Sequence, residues 1–228
     1  MRRLTFALLC SLLLLTLPAT AATVLTGNIF NNSPIDGTID GWSIYGDGSV
    51  SDSFTVASGA TAYVVNFGAW LNPGDSVSAI SWSIDTTPLG TGLGNINLGA
   101  GTVTASSGML FNNLYLYDID QVSFSLANGT TLTPLKLAPG TYYLTLQNAA
   151  SAGLGVVYWD ENDGANSTAA YSNLGLITDT GEGCGDTGSG SGTCSESFAI
   201  STPEPSTLAL LCSGILAAFV LRRKAVRR

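Results

Sequence analysis

The sequence predicts an all-β protein, a β-sandwich of jelly-roll-like kind, with an N-terminal signal peptide and a C-terminal single hydrophobic helix. Three observations lead there. Between the two ends, short runs rich in Val, Ile, Phe, Tyr, Trp, Ser and Thr alternate with Gly, Pro, Asn and Asp clusters, the vocabulary of strands and turns. No window in that region carries a 3.6-residue apolar period. The long uncharged apolar stretches lie at the ends instead, at residues 4–17 and 207–221.

Taken in order, Met1-Arg2-Arg3 is a basic start, residues 4–17 an apolar core and Ala19-Thr20-Ala21 a small-residue cleavage site, so residues 1–21 read as a secretory signal peptide. The residues after Arg2-Arg3 do not complete a twin-arginine pattern, which favours the general secretory route. Residues 22–180 form the predicted sandwich. Strands are expected at 50–56, 60–71 and 77–84, the last with Ile80, Trp82 and Ile84 on one face, and Ser58-Gly59 and Asn72-Pro73-Gly74-Asp75 as turns. A glycine-rich passage at 89–101 is expected to be a long loop. A meander then runs through 109–117, 121–126, 132–137, 141–147 and 155–159, broken at 118–120, Asn128-Gly129, Pro139-Gly140 and 150–153. In its fourth strand Tyr143 and Thr145 face one side, and Tyr142, Leu144 and Leu146 the other. The phrase leading into that strand, Leu137-Ala138-Pro139-Gly140-Thr141-Tyr142-Tyr143-Leu144, is similar to phrases in exported bacterial sandwich domains, carbohydrate-binding jelly rolls among them. Residues 181–202 read as a Gly/Ser-rich loop, a last strand and a linker. Cys184 and Cys194, an even pair in an exported chain, are expected to close that loop as a disulfide. Zinc fits less well, since it wants about four ligands.

Charge narrows the function. Between residues 22 and 202 fifteen Asp and Glu face Lys136 alone, and histidine is absent from the chain. Such a surface repels nucleic acid and anionic lipid. Without histidine, the commonest general base and transition-metal ligand are missing, and so is the centre of a Ser-His-Asp triad.

The tail, residues 203–228, combines three physical regimes. Pro203 and Pro205 hold the chain extended around Glu204. The fifteen residues 207–221 carry no charge but reach only about 23 Å as a helix, short of a hydrocarbon core of about 30 Å. Arg222, Arg223, Lys224, Arg227 and Arg228 hold the far end in the cytoplasm. This arrangement resembles the PEP-CTERM proteins of Gram-negative bacteria. The resemblance implies a sorting signal, with Pro203, Glu204 and Pro205 as its motif, read by an exosortase, a membrane transpeptidase. The implied partners are the secretion machinery, the exosortase and, transiently, the inner membrane. The implied destination is the cell surface or extracellular matrix, in association with exopolysaccharide.

Candidate chemistry within the domain is sparse. Asp160 and Asp163, after Trp159, collect hard oxygen ligands of the kind calcium prefers, against the plainer reading of a solvated acidic turn with no cofactor. Asp160 or Glu161 with Asp118 or Asp120 would make a glycoside-hydrolysing pair only if they stood about 5–10 Å apart. Trp42 and Trp159 are candidates for stacking on sugar rings, with core packing as the alternative. The expected function is therefore that of an exported, non-enzymatic surface or matrix protein. A calcium-dependent carbohydrate-binding module and a secreted glycoside hydrolase are the alternatives.

Overall fold

The computed structural model describes residues 27–32, 34–37, 40–94, 96–126, 134–162, 170–173, 175–176 and 195–202. In chain order the strands are β1 (Asn28–Asn32), β2 (Gly41–Ser43), β3 (Ser49–Val56), β4 (Ala60–Ala62), β5 (Val64–Leu71), β6 (Val77–Asp85), β7 (Asn97–Thr104) and β8 (Ser106–Asn112). They continue as β9 (Asp118–Ser125), β10 (Leu135–Leu137), β11 (Gly140–Ser151), β12 (Val157–Asn162), β13 (Ala170–Ser172), β14 (Gly175–Leu176), β15 (Ser195–Glu196) and β16 (Phe198–Ser201). One sheet has the order β14-β13-β3-β11-β6-β7, and the other is built on β5. β4 and β10 form a separate two-stranded antiparallel ladder. The protein is the all-β sandwich that its strand and turn vocabulary predicts.

Alternation places the core. In the six-stranded sheet Val50, Phe54, Ile80, Trp82, Ile84, Tyr142, Leu144 and Leu146 point inward, as the spacing of Ile80, Trp82 and Ile84 requires. Val65, Phe67, Ala69, Leu71, Val122 and Phe124 meet them from the other sheet. Several boundaries differ from expectation. Residues 97–104 are not loop: they pair along β6 from Ala79↔Thr104 to Asp85↔Asn97, because small residues suit a half-exposed edge strand. The strand expected over 109–117 stops at Asn112, and Asp118-Ile119-Asp120, expected as a break, opens β9. The sandwich also continues past residue 180, since β15 and β16 belong to its sheet. The signal peptide, Cys184, Cys194 and the tail from Pro203 lie outside the described residues.

The β5-centred sheet is forked. One edge of β5 pairs with β9 along its whole length. On the other edge β16 covers Val64 to Phe67 and β12 covers Ala69 to Leu71. Gly68 sits at the branch. Its N–H meets the Ser197 carbonyl at 3.2 Å, and the Ser197 N–H meets the Asp160 carbonyl at 2.8 Å. A Cβ on Gly68 would lie 2.5 Å from Ser197 Oγ, 2.7 Å from Ile35 Cγ2 and 2.8 Å from Asp160 Cβ, so only glycine lets the three chain segments meet.

Candidate functional site

The outer face of the β5-centred sheet carries a connected aromatic group. Trp70 stacks on Tyr115 with ring centroids 5.7 Å apart at 19°. Tyr117 leans on the same indole at 5.8 Å and meets Tyr158 edge-on at 5.9 Å. Trp70 is fixed from behind. Its indole N–H donates to Asp160 Oδ1 at 2.6 Å, and the Gly37 N–H donates to the same oxygen at 3.0 Å. The other oxygen accepts the Asp36 N–H at 3.2 Å. Burial pushes the Asp160 carboxyl up to about 6, against hydrogen bonds from Trp70 and Ser197, with Asp36 adding repulsion.

The turn that presents Tyr115 is organised by one side chain. Asn113 Oδ1 accepts the N–H groups of both Tyr115 and Tyr117, each at 3.0 Å, and its amide donates to the Gly37 carbonyl at 3.2 Å. Its backbone closes the turn with Tyr117 and Leu116, and Leu116 takes φ 68. An Asn capturing two N–H groups offers the backbone an alternative to the ladder, which is why the strand ends there. The result is outward display: Leu114 is 96% exposed, Leu116 73% and Tyr115 54%. Met109, Leu110 and Phe111 extend the apolar surface along β8. Beside Tyr115 lies a cleft of about 240 Å³ whose wall includes Asp36, Phe111 and Asn112.

The residues singled out in the sequence fall differently. Trp159 is fully buried, meets Phe67 and Phe198 edge-on, and donates its indole N–H to the Ser197 carbonyl at 3.0 Å. It is a core residue and has no face to offer a sugar, because β15 and β16 cover the strand end that the sequence leaves open. Trp42 is half-buried against the core, its N–H held by Glu161 Oε2 at 2.6 Å. Asp160 is sealed and its oxygens already accept hydrogen bonds, and Asp163 lies outside the described residues. Among the described residues no three Asp, Glu, Cys or His side chains form a group able to hold a metal.

The acidic residues offered for glycoside hydrolysis divide between the two faces of the sheet. Trp159 and Asp120 both stand opposite Ala69, so Asp118 and Asp120 share the core face with Trp159, and Asp160 is on the other. Glu161 is on the core face, but two strands across and two residues along from Asp120, about 12 Å between Cα atoms. A third acidic set is internal. Glu196 stands opposite Glu161 in the β12–β15 ladder, and the Glu196 N–H donates to Asp52 Oδ2 at 2.7 Å. Both carboxyl oxygens of Glu196 are buried without a hydrogen-bond partner. Burial first, then Glu161 and Asp52, hold its carboxyl well above the usual range.

Sequence reasoning missed Tyr115 and Tyr117 as surface groups. The signal was an unbroken apolar run from Leu114 to Tyr117 directly after two asparagines, which reads as buried strand until Asn113 is seen to turn it outward. Among known proteins, no curated protein matches the chain. Residues 201–224 match the family model of the PEP-CTERM protein-sorting motif. That motif marks the chain for export and for processing by an exosortase-type membrane enzyme on the way to the cell surface.

Proposed function

We propose that the sandwich is a structural and adhesive component of the cell surface or extracellular matrix, and that it holds exopolysaccharide through the aromatic turn at Tyr115. The observation that carries this reading is Tyr115, half-exposed yet held flat against Trp70. A rigid aromatic plane loses little entropy on binding and suits the C–H face of a sugar ring. Asp36 and Asn112 at the adjoining cleft supply polar atoms for hydroxyl groups. Between residues 22 and 202, fifteen acidic residues against Lys136 disfavour a polyanion, so the fitting partner is a neutral polymer. The role assigned to this turn is binding.

The test is co-sedimentation of the purified protein with neutral polysaccharides, comparing wild type with Tyr115→Ala. Binding should weaken at least about tenfold while the thermal melt is unchanged, since the ring is largely outside the core. Equal retention of wild type and variant on every polymer that binds would end the proposal.

A further inference from the structure

The sorting motif begins inside the sandwich. Its first residue, Ser201, is fully buried and is the last residue of β16. β16 is not an edge strand: β1 flanks it through Phe30↔Ile200 and Asn32↔Phe198, and β5 through Phe198↔Phe67 and Ile200↔Val65. Its side chains close the core. Phe198 lies 4.9 Å from Phe30, 5.6 Å from Trp159 and 6.3 Å from Phe54, centroid to centroid, so it joins β1, β12 and the opposing sheet. Just ahead of it, Ser197 occupies the fork between Gly68 and Asp160, and Glu196 pairs with Glu161. Thr202 donates its N–H to the Gly27 carbonyl at 3.1 Å, so the ends of β1 and β16 leave the sheet side by side.

We propose that residues 195–202 are the keystone of the sandwich, and that the domain therefore completes its fold only when the sorting tail itself is reached during export. Without this segment β1 has no partner strand among the described residues, half of one β5 edge is bare, and Trp159, Phe30 and Phe54 lose their shared neighbour. A chain threaded from its N-terminus delivers these residues last of all the described ones, directly ahead of Pro203-Glu204-Pro205. Folding and presentation of the motif are then one event. The processing enzyme receives a closed domain ending one residue before Pro203, and the tail upstream of the motif has no slack.

The test uses the full chain in mild detergent, with the same ten-residue Gly/Ser spacer inserted at either of two places. Between Thr202 and Pro203 it should leave the melting midpoint unchanged. Between Ser197 and Phe198 it should remove the cooperative transition or lower the midpoint by more than about 10 °C. In the unmodified chain, the amides of Phe198 to Ser201 should exchange hydrogen within about tenfold of those in β5. Equal effects of the two spacers, or exchange in β16 about a hundredfold faster than in β5, would overturn the proposal.

Discussion

Raising the pH should weaken this domain in the range where most proteins gain stability. Asp160 is the clearest case: its carboxyl rises from an ordinary 3.8 to about 6, chiefly by burial. Below pH 3.8 both folded and unfolded chains hold the proton, and the full contribution to stability is present. As pH climbs toward 6 the unfolded chain ionises freely while the folded chain resists, so stability falls, and above about 6 the loss is complete. At 1.36 kcal/mol per pH unit the shift corresponds to about 3 kcal/mol. Burial raises Glu196 and Asp120 in the same direction, Glu196 further assisted by Glu161 and Asp52, which extends the decline. Asp75 runs the other way: although burial opposes it, hydrogen bonds from Ser151 and Gly153 lower it, so its contribution is lost only at strongly acid pH. Urea unfolding from pH 4.5 to pH 8, followed by tryptophan fluorescence, measures the slope. Asp160→Asn is the control, because its amide oxygen can still accept from Trp70 and Gly37 while the charge is gone, at a cost of about 1 kcal/mol for the bond to the Asp36 N–H. The variant should lose most of the Asp160 share of the slope. An unchanged slope in Asp160→Asn, or a wild type that gains stability steadily across this range, would refute the argument.

Two further outcomes follow from the fork and the turn. Gly68→Ala forces a methyl into Ser197 Oγ, Ile35 and Asp160 Cβ, all within 2.8 Å, and should cost about 1–3 kcal/mol in urea unfolding. A neutral result would mean that the three segments separate freely at the branch. Asn113→Ala strips the acceptor from the Tyr115 and Tyr117 N–H groups and should cost about 1–3 kcal/mol. It should also weaken polysaccharide retention as much as Tyr115→Ala, and full retention would show that the turn does not need Asn113 to present its ring.

How much of this was legible in the residues follows from how far apart the interacting groups lie in the chain. Strand content, the inward set Ile80, Trp82 and Ile84, and the opposed faces of Tyr142 and Tyr143 are properties of neighbouring residues, so a period of two reveals them. The sorting tail is equally local, since its order of prolines, apolar run and arginines needs no partner elsewhere. Burial at the strand ends is not local. Trp159 beside Asp160 looks like a surface pair until residues 195–201, some forty positions later, cover it. Asp160 reads as a free ligand because Trp70 and Gly37, which hold it, are 90 and 123 residues away. By itself the sequence determined that the chain is an exported β protein with a delivery signal at its end. Only the tertiary structure decided that the last strand before that signal lies inside the sheet and that Tyr115 faces out, because strand pairing joins distant residues through backbone groups that every residue carries alike.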